Sequence, residues 1–195
     1  MPDQPDRRKL LQVIGHETTH LLFEGYWREA GKSAPSWLEE GLAMLEEDDP
    51  REYSQWLEAM AWTPPENIMA MEEFLEVSLS KDLHSKASVS RWYVQSYSVV
   101  RFLYRNHSRL QFKMFCSSLR DGKTVREALW LVYRYGSLRK FETAWRRWLS
   151  DPSHKKQAQT ARAAYEGGGE KAAPRKRSFS FQDITPMSGF RSLRD

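Results

Sequence analysis

The sequence predicts a mainly α-helical domain over residues 1–150, followed by a basic tail at 151–195 that we expect to be disordered. Apolar residues recur at spacings of three and four over most of the first part, which is the pattern of amphipathic helices. No segment of the sequence is predicted to be a strand. The hydrophobic fraction of 40%, with eight Trp, is enough for a buried core. After residue 151 the chain becomes polar and rich in Gly, Lys and Arg, which is typical of disorder.

The first two helices can be read from their periodicity and their ends. Residues 7–25 carry Leu, Val, Ile and Phe at helical spacing, and Gly25 with the following AGKSAP segment loosens the chain. The second helix begins at Ser36, which forms an S-x-x-E capping box with Glu39. It should end at about Glu47, before the Asp-Asp-Pro sequence that stops a helix.

The rest of the predicted domain is also helical. Ser108 with Gln111 and Thr124 with Glu127 form two further capping boxes, which mark helix starts near 109 and 125. The complete set of later helices is expected at 52–61, at about 67–79, from about 90, from about 109, from about 125 and at 138–149.

Charge and cysteine content exclude several classes of protein. Residues 151–195 contain nine Lys and Arg against five Asp and Glu, so the formal net charge of +4 lies in the tail. With a neutral domain we expect no specific nucleic-acid binding. No apolar stretch is long enough to span a membrane and no signal peptide is visible, so the chain as given is expected in the cytoplasm. The single cysteine, Cys116, lies among apolar residues and is expected to be a buried thiol.

One motif carries chemistry. Residues 16–20, HETTH, fit the pattern H-E-x-x-H within a predicted helix. Because residues four apart share one helix face, the imidazoles of His16 and His20 can converge on one metal ion. Glu17 lies about 100° further round the helix, where it can hold and deprotonate a water molecule at the metal. The alternative is that both histidines are ordinary polar residues of the helix.

A third metal ligand is expected from the second helix. Catalytic zinc sites use three protein ligands and leave a fourth position open. Glu40, in the segment PSWLEEGLAML, follows His20 by 20 residues, which allows a loop and a return. Glu39 is a competing ligand, but its place in the capping box favours Glu40. Gly41 destabilises the helix by about 1 kcal/mol relative to Ala. We expect a glycine at this position because the backbone approaches the first helix closely.

The two segments together resemble a known family. HETTHLL followed by PSWLEEGLA is similar to the gluzincin zinc metallopeptidases, and most similar to the peptidase MA-like families. The resemblance extends over about residues 8–150. It implies a zincin-like helical domain that hydrolyses peptide or protein substrates with Zn²⁺, held by His16, His20 and Glu40, and with Glu17 as the general base.

The resemblance also implies a side chain that stabilises the oxyanion. Tyr93, in the segment WYVQSYSVV, matches the family position best, and Tyr97 is the alternative because it lies one turn further on the same face. Both tyrosines can also be explained as core aromatic residues.

The sequence departs from the family in two places. Gluzincin domains usually place a β-sheet before the histidine helix, whereas only 15 residues precede His16, so we expect this part to be lacking or shortened. Thermolysin-like enzymes carry an Asp four residues after the glutamate ligand, where this chain has Met44. The partner of the metal ligands is therefore expected elsewhere, with Glu46 and Glu47 as candidates.

Two other functions remain open from the sequence. A zinc-binding module without catalytic activity would fit a chain that lacks the sheet. A protein that binds polyanions through its basic tail would fit the charge distribution.

Overall fold

The computed structural model of the protein describes residues 7–46, 60, 63, 65–77 and 82–151. Within these residues the fold is helical and contains no strand, so the predicted mainly α-helical class is confirmed. The described residues form seven α-helices and one 3-10 helix: α1 (Arg7–Arg28), α2 (Ser36–Glu46), the 3-10 helix (Pro65–Asn67), α3 (Met71–Glu76), α4 (Lys86–Arg105), α5 (Arg109–Arg120), α6 (Val125–Tyr133) and α7 (Leu138–Leu149).

The helix ends agree with the sequence where local signals are strong. Helix α7 has the predicted bounds, and α1 continues three residues beyond its predicted end. The helix expected at 67–79 is instead divided into the 3-10 helix and the short α3. The helix expected at 52–61, apart from residue 60, lies outside the described residues, and so does the tail at 152–195. The division of the chain into a domain at 1–150 and a tail at 151–195 therefore stays a prediction.

Two of the three predicted capping boxes are present. The hydroxyl of Ser108 accepts a hydrogen bond from the amide of Gln111 at 3.1 Å and begins α5. The hydroxyl of Thr124 accepts from the amide of Glu127 at 3.2 Å and begins α6. In both cases the side chain of the third helical residue bonds back to the capping residue, which satisfies two backbone donors at each helix start.

The capping box predicted at Ser36 is wrong. Here the amide of Glu39 donates to the carbonyl of Pro35 at 3.1 Å, so Pro35 and not Ser36 provides the first acceptor of α2. The carboxylate of Glu39 therefore has another role, which the next subsection describes.

Helix α2 lies between α1 and α4 and packs against both. At Gly41 a Cβ atom would lie 2.6 Å from the carbonyl oxygen of Ser96 and 2.6 Å from Cγ2 of Val100, both in α4. The prediction that Gly41 approaches the first helix is therefore wrong, because the close approach is to α4. Contact with α1 is close at the C-terminal end of α2, where a Cβ at Gly15 would lie 3.2 Å from the carbonyl oxygen of Glu46.

The core forms where α2 and α4 meet the C-terminal helices. Many large side chains are fully buried there, among them Leu38, Trp92, Phe102, Phe115 and Trp145. Cys116 is buried among them, and burial raises the pKa of its thiol to about 12. This core holds α4 in place, and α4 in turn supports α2.

The outer face of α1 is apolar and exposed. Its five large aliphatic side chains are each at least half exposed, at Leu10, Leu11, Ile14, Leu21 and Leu22. Trp27, near the end of the same helix, is instead buried. Among the described helices, none is both long enough and apolar enough to cross a lipid bilayer.

Candidate metal centre

The two histidines of the H-E-x-x-H motif face each other on α1. They lie one helical turn apart, and the Nε2 atoms of His16 and His20 are separated by 3.1 Å. Their ring centroids are 4.8 Å apart, with the planes inclined by 62°. The spacing of four residues therefore brings two imidazole nitrogens to one point beside the helix.

Helix α2 brings a carboxylate to the same point. Oε2 of Glu40 lies 3.7 Å from Nε2 of His20 and 4.0 Å from Nε2 of His16. All three ligand atoms lie within 4.8 Å of one another, and no other such group occurs among the described residues. The side chains of His16, His20 and Glu40 therefore converge as the sequence predicted.

The geometry fits a zinc ion. Two donor atoms bound at tetrahedral angles with bond lengths of about 2.0–2.1 Å lie about 3.4 Å apart. The observed separations of 3.1, 3.7 and 4.0 Å lie around that value. Two imidazole nitrogens and one carboxylate oxygen also match the donors of catalytic zinc sites with an open fourth position. About one fifth of each side chain is exposed, so solvent can reach the group.

Glu39, the residue before Glu40, binds the far side of the His20 ring. Its Oε1 lies 3.0 Å from Nδ1 of His20. This hydrogen bond is the largest cause of a raised pKa at His20, ahead of the opposing effect of burial. The sequence prediction assigned Glu39 to the helix start and so missed this contact. The feature of the sequence that could have indicated this contact is the acidic residue directly before the expected ligand.

Electrostatic interactions link the carboxylates of Glu40 and Glu17 with the rest of the centre. Burial raises the pKa of the Glu40 carboxyl, and the two nearby histidines partly oppose that shift. Glu17 is half-buried on α1, and its charge contributes to the raised pKa of both His20 and Glu40. The expected base therefore lies close enough to the converging ligand atoms to act on them electrostatically.

The two tyrosine candidates differ in their surroundings. Tyr93 is partly buried on α4, and burial together with the charge of Glu40 raises its pKa. Tyr97 is fully buried, and its hydroxyl accepts a hydrogen bond from Arg101 at 2.9 Å. The charge of Glu40 therefore acts on the hydroxyl of Tyr93.

The comparison with protein families identifies the group to which this arrangement corresponds. The family model described as Peptidase MA superfamily matches residues 9–151, about three quarters of the chain, and this range contains the whole centre. The chain belongs to the Peptidase MA superfamily. It matches no curated protein and no solved structure. Membership of the superfamily establishes a peptidase-like zinc-binding fold, confirms the resemblance read from the two motifs, and indicates peptide or protein substrates.

Proposed function

We propose that this member of the Peptidase MA superfamily is a zinc-dependent peptidase of the gluzincin type, with Glu17 as its general base. The observation that supports this most directly is the convergence of two imidazoles and one carboxylate from neighbouring helices. Two further observations agree with it. The group is partly open to solvent, and a second carboxylate, that of Glu17, lies close enough to influence it.

In this proposal His16, His20 and Glu40 hold the zinc ion. Zinc held there would lower the pKa of a water molecule to about 7 and would polarise the carbonyl of the peptide bond. The protein contributes the orientation of the three ligands. Two of them are carried on α1 and the third on α2, and these two helices pack against each other. A rigid arrangement of this kind spares the site any reorganisation during the reaction.

Glu17 then moves the proton. As an ionised carboxylate it accepts a proton from the attacking water and later delivers it to the nitrogen of the leaving amine. Tyr93 donates a hydrogen bond to the developing oxyanion. A tyrosine hydroxyl keeps its proton at neutral pH, and the raised pKa of Tyr93 is consistent with a hydroxyl that remains a donor there. Tyr97 is the less favoured candidate, because its hydroxyl is buried and already bonded to Arg101.

The decisive experiment compares Glu17→Gln with the parent protein. We expect one zinc per chain in both, and cleavage of a broad peptide mixture by the parent alone. The matched control is Glu24→Gln on the same helix, where the carboxylate is paired with Arg28 at 2.7 Å. Cleavage by the Glu17 variant at the parental rate would contradict the mechanism.

A second variant tests the metal ligands themselves. Glu40→Ala removes one of three ligands and should abolish stoichiometric zinc binding along with cleavage. Zinc binding by the parent without hydrolysis of any peptide in the mixture would instead favour the non-catalytic zinc module. Parental zinc content in the Glu40 variant would overturn the proposed ligand set.

A further inference from the structure

The carboxylate of Glu39 lies on the opposite side of the His20 ring from the metal-binding atoms. Its Oε1 is 3.0 Å from Nδ1, whereas Nε2 of the same ring is 3.1 Å from Nε2 of His16 and 3.7 Å from Oε2 of Glu40. The His20 ring is therefore held between an acidic group on one edge and the converging ligand atoms on the other.

This arrangement determines which nitrogen of His20 carries the proton. An ionised carboxylate can only accept a hydrogen bond, and a neutral imidazole has one donor nitrogen and one acceptor nitrogen. The contact with Glu39 therefore requires the proton on Nδ1. The lone pair is then left on Nε2, where it points towards His16 and Glu40 and can bind a metal ion.

The contact is shielded from water, which increases its strength. Only 15% of the Glu39 side chain and 23% of the His20 side chain are exposed. Hydrogen bonds to an ionised group are roughly twice as strong as neutral ones, and partial burial reduces their screening. A carboxylate partner also makes the imidazole a more basic, and so a stronger, metal ligand.

We propose that Glu39 is a positioning residue of the metal centre, which fixes His20 in the tautomer and orientation that present Nε2 to the metal. This inference rests on the proposed zinc-dependent function. It also replaces the expectation that Glu46 or Glu47 would support the ligands. Of these, Glu46 is exposed at the end of α2, and Glu47 lies outside the described residues.

The first test measures zinc affinity by competition with a chromophoric chelator. Glu39→Ala removes both the acceptor and the charge, and should weaken zinc binding by about 10–100-fold. Glu39→Gln keeps an oxygen that can accept the Nδ1 proton but removes the charge, so its loss should be smaller. Glu46→Ala, on the same helix, is the matched control and should leave the affinity unchanged. Equal affinity in the parent and in Glu39→Ala would overturn the proposal.

The second test reads the tautomer directly and does not depend on activity. Long-range ¹H–¹⁵N NMR correlations of the metal-free parent, recorded at a pH at which the His20 ring is neutral, should show its proton on Nδ1. Glu39→Ala should populate the other tautomer. A parent with the proton on Nε2 would overturn the proposal, even if the Ala variant failed to fold. A parent that shows the Nδ1 tautomer but binds no zinc would instead contradict the proposed function, so the two failures are distinguishable.

Discussion

Replacing Gly41 by Ala should disturb both the fold and the metal centre. A Cβ at this position would lie 2.6 Å from the carbonyl oxygen of Ser96 and 2.6 Å from Cγ2 of Val100. Ordinary contacts of such an atom begin at 3.4 Å, so α2 and α4 would have to separate by about 0.8 Å. The carbonyl oxygen belongs to the backbone of a long buried helix and cannot rotate away.

The magnitude follows from two opposing effects. Overpacking of this kind costs about 1–3 kcal/mol, and a backbone clash belongs at the upper end of that range. The higher helix propensity of Ala returns about 1 kcal/mol. We therefore expect a net loss of about 2 kcal/mol in the free energy of unfolding, or about 4–8 °C in Tm for a domain of this size. Guanidinium and thermal unfolding of the metal-free protein would measure it.

The same displacement should weaken metal binding, because Glu40 is the adjacent residue. Ligand geometry must hold to about 0.5 Å for full function, so we expect at least a tenfold loss of zinc affinity by chelator competition. Gly25→Ala is the matched control: this glycine also lies within a helix, but a Cβ there meets nothing within 4 Å. The control should gain up to about 1 kcal/mol and bind zinc normally. If Gly41→Ala is as stable as Gly25→Ala, the argument from close helix approach is refuted.

Three further predictions concern other parts of the molecule. Tyr93→Phe should lower kcat for peptide cleavage by about 10²–10³-fold with unchanged zinc affinity, whereas Tyr97→Phe should affect mainly stability. Equal kcat values for the two variants would contradict the assignment, and a larger loss in Tyr97→Phe would reverse it. Cys116, whose pKa is raised to about 12 by burial, should react with iodoacetamide in guanidinium chloride but not in the native protein, as mass spectrometry would show. Replacing Leu21 and Leu22 by Gln should change the free energy of unfolding by no more than about 0.5 kcal/mol, since they are 70% and 72% exposed; a larger loss would mean that this face of α1 is covered in solution.

The convergence of the two histidines could be predicted because it depends on geometry that a helix always has. A spacing of four residues places His16 and His20 on one face whatever the surrounding fold. The starts of α5 and α6 could be predicted for the same reason, because the hydroxyls of Ser108 and Thr124 form hydrogen bonds with residues only three positions away. Such features require only the short stretch of chain in which they occur.

Other features depend on how helices lie against one another, which periodicity does not determine. The pattern of α1 identified Leu21 and Leu22 as apolar positions of a helix. It did not indicate that their side chains would be exposed in the structure. The break between the 3-10 helix and α3 was likewise not visible in the composition of that segment. Glu39 was misassigned for the same reason, since a local capping box competed with a contact to a residue 19 positions earlier.

Three consecutive residues of α2 show how the fold and the centre depend on each other. Successive residues of a helix point about 100° apart, so a helix packed between two neighbours can direct adjacent side chains to both. Glu39 and Glu40 reach α1, where they contact opposite edges of the His20 ring, and Gly41 faces α4. The position of the Glu40 carboxylate relative to α1 is therefore set by how closely α2 can approach α4. A side chain at position 41 would push both carboxylates out of register with His20 at once, so the missing Cβ is as much a requirement of the metal centre as of the core.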